Sequence, residues 1–283
     1  MSPSSPPGSD DQPGFSLQSP DSTPIRYVAI GDSFTEGVGD DGTGTGNGTG
    51  TGTGAPAPFP GWAGRLATGL AASGDRPVFY ANLAIRGRLL GGVLDEQLPA
   101  ALALQPPATL VTFCAGGNDM LRPRFDTAAL LARVETAATA IRATGAQLVL
   151  LSPADPSSRI PLGRLVRSRG IAWAELLGSF AQGSGIPFVD VSLDPYLHEA
   201  DFWASDRLHM NAAGHERVAD LALEAIADAP PPLAPVLDPA GRARLGSDLR
   251  YYREHVAPWV KRRLTRRSTG DGRAAPYPVW TRV

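Results

Sequence analysis

Five short, continuous apolar runs punctuate the chain: IRYVAI (25–30), PVFYANL (77–83), ATLVTFCAG (108–116), AQLVLLS (146–152) and IPFVDV (186–191). Each has the length of a strand rather than a helix. Between them lie stretches with helical spacing: WAGRLATGLAAS (62–73), LLGGVLDEQLPAALAL (89–104), DTAALLARVETAATAIRATG (126–145), residues 162–182, and MNAAGHERVADLALEAIAD (210–228). Asp126 is placed to cap the third of these and Gly145 to stop it. Strands separated by helices imply βαβ units and a parallel sheet with helices on both faces. The expected fold is α/β, a three-layer α/β/α sandwich around a central parallel sheet. In such sheets ligands gather outside the carboxyl ends of the strands. Gly31-Asp32-Ser33, Gly116 to Asp119 and the segment after Val191 all fall at such ends.

Composition divides the 283 residues into parts. Residues 1–24 are rich in Ser, Pro and Asp, and read as a disordered N-terminus. Residues 25–229 form the expected domain, with a Gly/Thr low-complexity insertion at 42–54 that has nothing to bury. Residues 230–283 read as a proline-rich connector, a helical extension near 247–267, and a loose basic tail. Residues 231–283 hold 11 basic and 4 acidic side chains, against 15 and 24 in the rest. A basic tail beside an acidic body suggests that the two lie together, or that the tail meets an anionic partner. The single cysteine, Cys114, sits inside an apolar run and reads as a buried thiol, so no internal disulfide is available. No apolar run reaches the roughly 18 residues that a membrane span needs. The N-terminal stretch lacks the apolar core of a secretory signal. A soluble, cytoplasmic protein is expected, without stable membrane insertion.

The chemistry begins at AIGDSFTEGVG (29–39), where an apolar strand ends on a serine. Such a serine fits a turn or a helix cap; it also fits a nucleophile held out from the sheet edge. A serine hydroxyl is a weak nucleophile and needs a base, and the base needs a partner to hold its tautomer. WASDRLHMNAAGH (203–215) offers both, with Asp206 and His209 three residues apart ahead of the last helix. His215 and His198 rank below His209 as the base. His215 falls inside the predicted helix, and His198 has no acid three residues before it.

Four blocks then come in order at strand ends: GDS (31–33), NLAIRG (82–87), GGND (116–119) and DRLH (206–209). Over residues 25–228 the chain resembles the SGNH (GDSL-type) hydrolases, a superfamily of serine esterases and lipases with a flavodoxin-like sheet. The resemblance implies Ser33 as nucleophile, His209 as base and Asp206 as its orienting acid. It implies an oxyanion hole made by the backbone N–H of Ser33, the backbone N–H of Gly87 and the side-chain amide of Asn118. Phe34 stands where the nominal pattern has leucine, at an apolar packing position. Asp119 is expected to fix its loop, and Asp32 to anchor the nucleophile turn. The implied activity is cleavage of a carboxylic ester through an acyl-serine. An acetyl-sugar deacetylase, thioesterase, lysophospholipase or acyltransferase would use the same site, and a non-catalytic binding module is the contrasting class.

Other signals lead elsewhere. Gly37-Val-Gly-Asp-Asp-Gly42 matches a dinucleotide glycine motif, but two aspartates and a Gly/Thr tract replace the helix that would receive phosphate. Asp40-Asp41 lacks further calcium ligands, and the histidines lack zinc spacing. No cofactor and no metal are expected. The partner is a small-molecule ester, and the basic run 261–267 is expected to pack or be solvated rather than to bind nucleic acid.

Overall fold

The computed structural model describes residues 23–40, 42, 58–160, 163–228 and 269–283. The expectations for residues 1–22, for all but the first residue of the Gly/Thr tract 42–54, for the connector and for the helix near 247–267 lie outside these. Strands β1 (Ile25–Gly31), β2 (Val78–Asn82), β3 (Leu110–Cys114), β4 (Gln147–Leu151) and β5 (Phe188–Val189) fall where the apolar runs predict them. The sheet order is β5-β4-β3-β1-β2-β6. The first five strands are parallel, and β6 (Tyr277–Arg282) runs antiparallel to β2.

Successive residues of β1 explain the unbroken apolar run. Val28 and Ile30 join one core, and Ile25, Tyr27 and Ala29 join the other. The first core is covered by the helical stretch 90–103, by α5 (Thr127–Arg142) and by α6 (Gly163–Gly183). The second is covered by α2 (Gly61–Ala72) and α7 (Ala212–Ala227). Polar alternation would have exposed one of these faces, so the continuous run reports the three layers directly.

Several elements depart from expectation. The helix expected over 89–104 is α3 (Leu90–Gly92), a π-helical segment (Val93–Gln97) and α4 (Leu98–Ala103). β5 pairs over two residues only, because Asp190 turns to cap the short helical segment after it and accepts from Ser192 N–H at 3.1 Å. The C-terminal residues, expected to be loose, instead supply β6. Tyr277 packs its ring on Tyr80 and Phe59, with centroids 5.4 and 5.3 Å apart. Pro278 is compatible with an edge strand because the outer edge needs no donor. Asp126 caps α5 as expected, accepting from Ala129 N–H at 3.0 Å.

The order 5-4-3-1-2 reverses direction at β1. The chain leaves β1 for β2 on one side and later builds β3 on the other. The crevice outside the carboxyl ends of β1 and β3 is therefore the switch point where such folds hold ligands.

A buried ion pair ties α7 to the segment that follows β5. Arg217 Nε and Nη2 donate to Asp194 Oδ2 at 3.0 and 2.7 Å, and both side chains are almost fully buried. Asp194→Ala removes the carboxylate to which this buried guanidinium donates twice, and is expected to cost about 3–5 kcal/mol. Urea unfolding at neutral pH measures this; a loss below about 1 kcal/mol would mean that water already compensates the charge.

Candidate active site

Ser33 is the first residue after the turn that ends β1. Asp32 caps the short helix α1 (Ser33–Glu36), its Oδ1 accepting from Phe34 N–H at 3.1 Å. Gly31 is held by a reciprocal pair: its N–H donates to Gln97 Oε1 at 2.8 Å, and Gln97 Nε2 donates to its carbonyl at 2.9 Å. The residue two positions before Ser33 is thereby fixed from a helix 66 residues away in sequence.

Asp206 and His209 sit on the loop ahead of α7. Trp203 and Met210 bridge the loop's ends, and Ala204 N–H donates to the His209 carbonyl at 2.9 Å. Arg207 takes a left-handed conformation, φ 58°, at the bend. A non-glycine residue pays for that geometry, and such residues concentrate at sites that the surroundings over-determine. The result is a chain of contacts. His209 Nε2 lies 3.0 Å from Ser33 Oγ, and His209 Nδ1 lies 2.6 Å from Asp206 Oδ2. Asp206 Oδ1 also accepts from Leu208 N–H and His209 N–H, each at 3.0 Å. Burial opposes the charge on Asp206, but the His209 contacts and the two N–H bonds outweigh it and bring its pKa down to about 2. The group is a carboxylate throughout the physiological range.

His215, the lower-ranked histidine, is wholly buried in α7. Its Nδ1 accepts from Trp62 N–H and its Nε2 donates to the Val38 carbonyl, both at 3.1 Å. Burial lowers its pKa to about 4, so it is a neutral core group. His198 does not line the cleft. Cys114 is buried as expected, and its thiol pKa is raised well above the ordinary value, chiefly by burial.

Gly87 sits in the turn Ile85–Arg88, closed by Arg88 N–H donating to the Ile85 carbonyl at 3.4 Å. Its φ of +76° matches the third position of a type II turn, where the positive φ favours glycine. Arg86 is gripped by Glu36: its backbone N–H, Nε and Nη2 donate to that carboxylate at 2.5, 2.8 and 2.5 Å. Among the described residues, neither Ser33 N–H nor Gly87 N–H has an acceptor. Asn118 reaches the same place, but its amide is engaged: Nδ2 donates to Asp32 Oδ2 at 3.1 Å and to the Arg88 carbonyl at 3.0 Å. Asp119 accepts from Leu90 N–H at 2.9 Å and ties the third block to the start of α3, the fixing role expected of it.

These residues open on a cleft of about 410 Å³. Asp32, Ser33, Gly87, Asn118, Asp206 and His209 line one part, and Met120, Leu121, Pro153, Ile160 and Val166 form an apolar wall. The wall draws on residues 153–160. Met120 to Arg122 and Leu208 to Met210 complete the lining.

Gln97, Glu36 and Arg86 are the supporting residues that sequence reasoning missed. Ser33-Phe-Thr-Glu36 carries the local pattern of a capping box, in which the glutamate would reach back to its own helix start. Here Asp32 is the cap and Glu36 is directed across to Arg86. Gln97 carried no signal beyond being a polar residue within an apolar helical stretch.

The sequence profile of the GDSL-like lipase/acylhydrolase family matches residues 29–217. No curated protein matches the chain in sequence. Among solved structures, TesA aligns at 25% identity with a TM-score of 0.54, over 72% of this chain and 98% of its own. The lipase Lip_vut3 from a goat rumen metagenome aligns at 19% and 0.55, over 71% and 97%. A catalytic mutant of Axe2, an acetylxylan esterase from Geobacillus stearothermophilus, aligns at 18% and 0.56, over 72% and 94%.

Burial, partly offset by the Phe34 N–H bond and the charge of His209, raises the Asp32 pKa to about 6. An unfolded aspartate titrates near about 3.9, so between these values the folded state holds a proton that the unfolded chain has released. Stability is therefore expected to fall as pH rises from about 4 to about 6. Asp32→Asn should flatten that part of the stability–pH curve. Chemical denaturation across the window checks it; an unaltered slope in the variant would show that Asp32 is not its source.

Proposed function

The chain belongs to the GDSL-like lipase/acylhydrolase family and is a carboxylic ester hydrolase, and on that premise we propose that Ser33, His209 and Asp206 carry the reaction. The unbroken contact chain from Ser33 Oγ through both nitrogens of His209 to Asp206 is the observation that supports this most directly. Ser33 Oγ attacks the ester carbonyl carbon while His209 Nε2 takes its proton. Asp206 holds the Nδ1–H tautomer and stabilises the imidazolium. The tetrahedral intermediate collapses to an acyl-Ser33, and His209 returns the proton to the departing alcohol. Water then attacks the acyl carbon with His209 as base, releasing the acid and restoring Ser33.

The developing oxyanion is received by the two acceptor-free N–H groups, Ser33 and Gly87, and by Asn118. At rest the Asn118 amide is occupied by Asp32, which lines the cleft, and by Arg88 O, whose residue does not. The bond to Asp32 is the one exchanged when the oxyanion forms. The apolar wall supports an acyl chain longer than acetate. We read a single catalytic domain over residues 25–229 that works without metal or cofactor on a small ester in the cytoplasm; the absence of a membrane-spanning helix among the described residues is compatible with that location.

Hydrolysis of p-nitrophenyl esters from acetate to palmitate, run beside Ser33→Ala, tests the reading. Activity is expected to peak at an intermediate chain length and to vanish in the variant. Activity that survives in Ser33→Ala would remove Ser33 as nucleophile.

Asn118→Ala is expected to lower kcat by about 10²–10³ while the protein stays folded. Unchanged turnover in a folded variant would take Asn118 out of the oxyanion hole.

A further inference from the structure

The C-terminal segment lies beyond the residues that the family profile matches, yet it reaches the site. Thr269 lines the cleft. Gly270, next to it, is buried against the turn that carries Gly87. A Cβ at Gly270 would overlap the Arg86 carbonyl oxygen and lie 2.8 Å from Ile85 Cγ2. The segment then runs into β6, which pairs Asn82 with Tyr277 and Tyr80 with Thr281. β2 is the strand that launches the Gly87 turn, so β6 clamps the base of the turn while Gly270 backs its tip.

The Arg86 carbonyl and the Gly87 N–H belong to one planar peptide and point in opposite directions. This is the central peptide of the turn. Types I and II differ by a flip of that unit, marked by the sign of φ at the residue after it. Glu36 holds the preceding N–H of Arg86. Gly270 blocks the carbonyl side. A carbonyl that cannot rotate leaves the N–H on its other end aimed at one place.

We infer that Gly270 is a positioning residue for hydrolysis: its bare backbone holds the Arg86–Gly87 peptide so that the Gly87 N–H faces the oxyanion. The C-terminal segment is then a working part of the site rather than an appendage. This rests on the esterase reading above, and it adds a requirement that the four motif blocks do not contain.

Gly270→Ala drives a methyl into the Arg86 carbonyl. On p-nitrophenyl esters kcat is expected to fall about ten- to a hundredfold, the scale of a misplaced catalytic group, with KM within about twofold. Hydrogen exchange over residues 83–90 should speed up while residues 25–31 stay unchanged. Tyr277→Ala loosens β6 without placing an atom in the turn, and should give the same split with smaller amplitude if Gly270→Ala does not fold. Val279→Ser, on an exposed position of β6, should change neither. Wild-type kcat with unaltered exchange over 83–90 in either folded variant would overturn the inference. A fall in kcat accompanied by general acceleration of exchange would also overturn it, as plain destabilisation. If the wild type hydrolyses no ester and Ser33 takes up no fluorophosphonate, the esterase reading fails. Exchange over 83–90 in the two variants then still decides whether the segment holds the turn.

Discussion

The carboxyl end of β1 governs the site. Gly31 is the last residue in the ladder, and Gln97 takes both its N–H and its carbonyl. A backbone pair satisfied in this way, buried between layers, has no alternative partners and no water to exchange with. Two residues later the chain presents Ser33 at the switch point of the sheet. His209, 176 residues away in sequence, meets Ser33 at that held position, its Nε2 3.0 Å from the hydroxyl. The strained bend at Arg207 has the same logic on the other side: the loop is fixed at both ends, and the geometry between Asp206 and His209 follows.

Around that fixed point two carboxylates are driven apart. Asp206 accepts from His209 and from two backbone N–H groups, and its pKa is held near 2. Asp32 lies deeper, with burial outweighing its hydrogen bonds, and its pKa rises to about 6. The first is therefore a constant negative charge beside the imidazole. The second is a weak acid that binds Asn118 and the start of α1. Environments that separate two like groups in this way separate their tasks: in the proposed reaction one stabilises the imidazolium, and the other holds the Asn118 amide until the oxyanion claims it.

Most of this was legible where chemistry and position coincide along the chain. The apolar runs gave the strands, because a strand buried on both faces leaves no other pattern. Ser33, Gly87, Asn118, Asp206 and His209 could be named because each stands at a predicted strand end in a block of recognisable order, and all of them come to one cleft. What escaped was carried by contacts across long separations. Gln97 meets Gly31 over 66 residues and Glu36 meets Arg86 over 50, and neither leaves a local trace. Glu36 even carries a local pattern that points to the wrong partner. β6 was missed because Tyr-Pro-Val-Trp-Thr-Arg contains a proline and follows a polar stretch, so only its aromatic packing on Tyr80 and Phe59 marks it as sheet.

The same distinction explains why the motif blocks understate the site. A block names a candidate donor or nucleophile, but a backbone N–H has no side chain to aim it. Its direction is set by whatever holds the peptide plane. For Ser33 that is the helix cap at Asp32 and the clamp on Gly31. For the Gly87 peptide it is Glu36 on one side and the backbone of Gly270 on the other. Donors of this kind act through preorganisation, costing nothing to align as charge develops. Their quality is therefore a property of the packing around them, and in this chain part of that packing arrives from the last fifteen residues.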